Sequence, residues 1–239
     1  MEEEKELTIR EPAFPSEIIP GKLWLGPAPC RSDGEIFGDS ETVGYLSGVG
    51  ITHVVNCTPE MAFPTPVQLP LAGRFRVPVD DVDDAPIEEW FDGAADYIQN
   101  AIINCSSRVY VHCETGKSRS AAIVLAYRVK YHGESLRVAY NETKKARGYI
   151  QPKHSFFSKL AARELEWNST AAGSGSTALL ESPSFSPEDY ALVYLQDHFQ
   201  PYSWAGVTPE VVEEAFIDSE HNYDSAFDEL SRRVQAAMF

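Results

Sequence analysis

A chain of 239 residues has room for one catalytic domain and a small appendage, since domains commonly run to about 100–200 residues. Its 20 Lys+Arg against 36 Asp+Glu leave a net charge of −16, which argues against a general affinity for nucleic acid or anionic membrane; 43% hydrophobic residues exclude a disordered acidic protein. No run approaches the roughly 18 apolar residues of a membrane span, and the start Met1-Glu2-Glu3-Glu4-Lys5-Glu6 is unlike a basic signal peptide, so a cytoplasmic protein with access to the nucleus is expected.

Residues 1–15, charged and broken by Pro, read as a tail. From 16 to 168 strand-like and helix-like segments alternate, the pattern of an α/β domain with a central, mostly parallel sheet flanked by helices. Leu23-Trp24-Leu25, Ile51 to Val55, Phe75 to Val79 and Val109-Tyr110-Val111 are the expected strands, and Gly44 to Gly50 suits a short helix-to-strand connection. Ile87, Trp90, Phe91, Ala94, Ile98, Ala101 and Ile102 recur at helical spacing, so a helix is expected over 87–103 with Pro86 in its first turn. Ala121 to Tyr127 is apolar nearly all round, which calls for a helix buried at the domain centre and stopped by Gly133. Ser135 can cap a further helix ending near Gly148, and 155–167 forms another.

Residues 169–186, small and polar, read as a flexible linker. Beyond them Ser186-Pro187-Glu188-Asp189 and Thr208-Pro209-Glu210 each combine a cap with a first-turn Pro, and a third start lies near Asn222. Residues 187–239 are therefore expected as a three-helix bundle with Leu192, Leu195, Phe199, Val212, Phe216, Phe227, Leu230 and Val234 inside. Residues 171–239 hold 12 acidic and 2 basic side chains, so most of the net charge belongs to the appendage. Cys30, Cys57, Cys105 and Cys113 are too scattered for a disulfide framework or zinc site, and no metal or other cofactor is expected.

The segment His112-Cys113-Glu114-Thr115-Gly116-Lys117-Ser118-Arg119-Ser120 joins a strand to the buried helix, where backbone N–H groups and a positive helix end can converge on an anion. That field would hold Cys113 as a nucleophilic thiolate. Arg119 can grip two phosphate oxygens with its planar fork, and Gly116 permits the tight turn. A nucleotide-binding loop is excluded because its first glycine would fall at Val111.

This stretch, with Ala121 to Tyr127 behind it, closely resembles the signature of dual-specificity phosphatases in the protein tyrosine phosphatase superfamily. Ile18 to Gly26 resembles the family's opening strands, Gly50 to Asn56 its second core strand, and Arg147-Gly148-Tyr149-Ile150-Gln151-Pro152 with Phe156 its closing segment; Lys153 follows where the family often has Asn. The resemblance spans about 16–167 and implies hydrolysis of phosphotyrosine and phosphoserine/threonine through a cysteinyl-phosphate. Cys113 would be the nucleophile, Arg119 with the amides of Glu114, Thr115, Gly116, Lys117 and Ser118 would hold the phosphate, and Ser120 would bond the departing sulfur. His112 would orient the loop. The acid would be Asp81, with Asp80, Asp83 and Asp84 as competing neighbours. Phosphorylated proteins, protein kinases among them, are the implied substrates; alternatives are a phosphoinositide phosphatase, or an inactive adaptor that binds phosphoproteins. The bundle weakly resembles ubiquitin-associated and CUE domains over 207–216 and 222–230, which implies ubiquitin as a partner; packing against the catalytic domain is the competing expectation.

Overall fold

Each strand is four residues long. In the computed structural model, which describes residues 14–30, 33–34, 41–104, 107–172 and 180–238, five strands form one sheet. Most of the expected tail, Cys105 and residues 173–179 of the expected linker lie outside the described residues. Strands β1 (Ser16–Ile19) and β2 (Leu23–Gly26) make an antiparallel hairpin, turned by Gly21 at φ 69° with Lys22 N donating to Ile19 O at 3.0 Å. Strands β3 (His53–Asn56), β4 (Gly73–Arg76) and β5 (Val109–His112) complete the order β1-β2-β5-β3-β4, and all pairs beyond the hairpin are parallel. Strand β5, fully buried, is thus central, which sets its C-terminal end in the middle of the molecule.

Two strands differ from expectation. Strand β3 starts at His53, two residues after Ile51, and β4 covers Gly73–Arg76 rather than 75–79. Pro78 lacks an N–H for a ladder, and the chain there leaves the sheet, with Val77 N donating to Asn56 O and Val79 N turning back to Val77 O.

Side chains alternate between two layers. Leu23, Leu25, Val55, Val109 and Val111 enter the main core, whereas Trp24, Val54 and Tyr110 face a smaller one with Val43 and Leu46 of α1 (Glu41–Gly48). Helix α2 (Glu88–Asn104) begins after Ile87, with Pro86 just outside, and packs on α3 (Arg119–His132), whose residues 119–129 are all buried. Gly133 ends α3 at φ 64°, and the Ser135 hydroxyl accepts from Val138 N to start α4 (Leu136–Ala146). Helix α5 (His154–Ala172) runs past Trp167 into the expected linker. No helix among the described residues is long and apolar enough to cross a membrane.

The far end of the expected linker is also corrected: Phe185 is buried in the main core against Tyr140, Phe157 and Tyr190. Removing a large aromatic ring from water outweighs the cost of ordering its short flank. Helix α6 (Pro187–Phe199) continues into a 3-10 turn (Gln200–Ala205), followed by α7 (Pro209–Asp218) and α8 (Tyr223–Ala237). Ser186 and Asn222 cap α6 and α8 through Asp189 N and Ser225 N, but the Thr208 side chain makes no cap bond to α7. All eight expected interior residues meet in one cluster, Leu192 and Phe227 partly buried.

Helix α6 fastens this bundle to the sheet domain. Tyr190 stacks on Phe157 at 3.7 Å between centroids, and its hydroxyl donates to Pro152 O at 2.5 Å. Arg137–Asp189 and Lys144–Asp197 pair at 2.7 and 2.6 Å across the same seam. Replacing Tyr190 by Ala is expected to cost about 3–5 kcal/mol, the range for emptying a buried aromatic site, read as a lower urea midpoint for the sheet domain itself. An unchanged midpoint would mean the two parts are not joined there.

Candidate active site

The loop from Cys113 to Ser118 starts where β5 ends and closes on the N-terminus of α3, so its geometry follows from those two buried elements. Its carbonyls are drawn outward one after another. Ala28 N donates to Glu114 O at 2.9 Å, Arg147 Nη2 to Thr115 O at 3.1 Å, Arg147 Nε to Gly116 O at 2.9 Å and Gln151 N to Lys117 O at 2.9 Å. Peptide planes held by their oxygens on the outside turn their N–H groups to the inside, and these with the helix end make a cradle for a dianion. Gly116 sits at φ 73°, and a Cβ there would run into the Gly26 carbonyl.

Around the cradle stand the expected side chains. Cys113 is buried, and the Ser120 hydroxyl donates to its Sγ at 3.2 Å. Arg119, 4% exposed, donates through Nη1 to Val79 O at 3.2 Å and lies 3.8 Å from the exposed Glu114 carboxylate. Asp81 alone of the four aspartates reaches the loop: Ser118 Oγ donates to its Oδ1 at 2.9 Å, and its Oδ2 lies 3.6 Å from Arg119 Nε. Asp80 and Asp84 are exposed, and Asp83 faces Ser155 and Lys153. His112, in line with β5 and stacked on Tyr110, is pushed down to about 4 by burial, so it is neutral at pH 7, and Nδ1 faces Cys113 O at 3.2 Å. A neutral ring tied to the main chain is suited to orienting the loop.

Residues 38–166 match the family model described as dual specificity phosphatase, catalytic domain. The chain belongs to that family. Dual specificity protein phosphatase 14 of Mus musculus is 31% identical over 186 residues, 77% of this chain and 84% of its own. Dual specificity protein phosphatase 1-B of Xenopus laevis is 33% identical over 73% of this chain, which spans only 42% of that longer relative. Among solved structures, human DUSP28 superposes with a TM-score of 0.54 at 27% identity, over 63% of this chain and 92% of that one.

Within this dual-specificity phosphatase domain, two supports were not foreseen from sequence. Arg147 is the largest fully buried side chain, and besides the two loop carbonyls it donates to Phe14 O, Ser16 Oγ and Tyr149 Oη. A basic residue closing an amphipathic helix ordinarily reads as a solvated cap, so nothing in its local pattern announces a buried clamp. Ser118 carries a second duty, accepting from Lys153 N at 3.2 Å while it holds Asp81. That main-chain contact braces the loop at the position where Lys153 replaces the family's Asn. Cys57, one residue beyond the Asn56–His112 pair, donates its N–H to His112 O at 2.7 Å; burial pushes its thiol well up, and it stays protonated beside Cys113.

Proposed function

We propose that the chain removes phosphate from phosphotyrosine and phosphoserine/threonine on proteins through a cysteinyl-phosphate. The observation that carries the reading is the outward capture of four consecutive loop carbonyls around a buried cysteine, with Asp81 hydrogen-bonded across the rim. The Cys113 thiolate attacks phosphorus, the bond to the leaving oxygen breaks, and Asp81 gives that oxygen its proton. Water then attacks the phosphorus and loses a proton to Asp81, the S–P bond breaks, and Ser120 hydrogen-bonds the departing sulfur. Arg119 and the amides of Glu114, Thr115, Gly116, Lys117 and Ser118 bind the equatorial oxygens through both steps.

A protein substrate is favoured over a phosphoinositide because the loop carries one cation, Lys117, with Glu114 where a second cation would stand, whereas a polyanionic head group calls for more. Protein kinases are among the phosphoproteins this would serve, in cytoplasmic signalling. Recruitment through ubiquitin is a further reading, implied by the bundle's resemblance to ubiquitin-associated and CUE domains. Turnover of an aryl phosphate, phosphotyrosine and phosphothreonine peptides and phosphoinositide vesicles tests the substrate class. Phosphopeptides are expected to exceed lipids in kcat/KM; hydrolysis of the lipids alone would overturn the assignment.

A further inference from the structure

The bundle does more than lean on the catalytic domain, because it reaches the rim of the phosphate loop. A cavity of 410 Å³ lies beside the loop, lined on the catalytic side by Lys117, Lys144, Tyr149 and Gln151 and on the bundle side by Asp197 of α6 and Gln200 of the 3-10 turn. The two bundle residues fall beyond 38–166, so this wall is not part of the matched family domain. This wall is tied to the catalytic side, since Gln151 Nε2 donates to Tyr194 O at 3.0 Å and Tyr190 is buried in the main core.

Charge decides what the cavity accepts. Lys144 is neutralised by Asp197 at 2.6 Å and also donates to Ile150 O at 2.9 Å. Lys117 pairs with no carboxylate among the described residues, so the cavity keeps one uncompensated cation beside the cradle. The positive field reaches the bundle: the ring of His198, next to Asp197, is held low in proton affinity by burial and then by Lys117 and Lys153. An anion placed there meets the Lys117 ammonium and the exposed Gln200 amide, whereas a cation meets Asp197 only after breaking its pair with Lys144.

We propose that the bundle completes a subsite beside the phosphate loop, between Lys117 and Gln200, which takes the carboxylate of an Asp or Glu flanking the phosphorylated residue of a peptide. This rests on the phosphatase reading above and names a peptide feature that the reading leaves open. The cavity has room for one such side chain with bridging water.

Gln200 offers the test, because it is exposed and takes no part in binding phosphate. In the full chain, Gln200→Lys and Gln200→Glu are compared with the unaltered protein on two phosphotyrosine peptides, one flanked by Glu and one by Lys, and on p-nitrophenyl phosphate. The ratio of kcat/KM for the Glu-flanked over the Lys-flanked peptide is expected to exceed one in the unaltered protein. It should rise about two- to fivefold in Gln200→Lys and fall by a similar factor in Gln200→Glu, the range of one partly exposed charge contact. Hydrolysis of p-nitrophenyl phosphate, too small to reach the cavity, should not change. A ratio equal in all three proteins, or one that favours the Lys-flanked peptide throughout, overturns the subsite. Affinities of the same peptides for the three proteins carrying Cys113→Ser give a readout independent of turnover. Absence of p-nitrophenyl phosphate hydrolysis would therefore refute the chemistry, and an unmoved affinity ratio would refute the subsite.

Discussion

Cys113→Ser is expected to lower kcat on p-nitrophenyl phosphate by at least about 10⁴-fold while inorganic phosphate still binds, since loss of a covalent nucleophile removes a whole route and not one contact. The reason lies in the atom: sulfur supplies a nucleophile that also leaves readily in the second step, and a serine oxygen does neither as well. The groups that hold phosphate are untouched, because the loop carbonyls are anchored from outside by Ala28 N, Arg147 and Gln151 N. A calorimetric phosphate titration alongside the rate assay separates the two effects. Retention of near wild-type turnover in Cys113→Ser would remove the cysteinyl-phosphate from the mechanism. Cys57→Ser is the informative control: Cys57 is as buried as Cys113, but burial holds its thiol protonated, so turnover should stay close to the unaltered rate.

Legibility from sequence followed the range of the interaction. Helix α2 announced itself because its apolar stripe repeats every three to four residues, and α3 because Ala121 to Tyr127 has no polar face; both signals are local. Cys113, Arg119 and Ser120 were legible for the same reason, lying within one loop and its helix. Strand β4 was misread because the apolar pairs around Pro78 look like a strand, while the ladder that defines one depends on β3, remote in sequence. Arg147 is 31 residues from the glycine whose carbonyl it holds, and Phe185 is buried only because α4, α5 and α6 meet around it. Neither has a period or spacing to read. The bundle's own interior was legible, but its attachment was not: Tyr190 and Asp197 lie on the face of α6 away from Leu195 and Phe199, and a second face on a short helix reads as a solvated one until its partner is known.

The family resemblance favoured Asp81 over Asp80, Asp83 and Asp84, and that choice leads to the second large effect. Asp81→Asn is expected to lower kcat on phosphotyrosine and phosphothreonine peptides by about 10²–10⁴-fold, the usual worth of a positioned general acid. Asn keeps the size of the side chain and an oxygen for the Ser118 hydroxyl, so the rim should hold its shape and only the proton be lost. The deficit should shrink sharply on p-nitrophenyl phosphate, whose leaving group departs without protonation, and grow for alkyl esters, which cannot leave as bare alkoxides. Asp84→Asn, with an exposed side chain, should leave turnover of all these substrates close to the unaltered rate. Should the leaving-group dependence appear in Asp84→Asn and not in Asp81→Asn, the hydrogen bond between Ser118 and Asp81 would be a brace for the loop alone, and the acid would come from a neighbour that must move inward to serve.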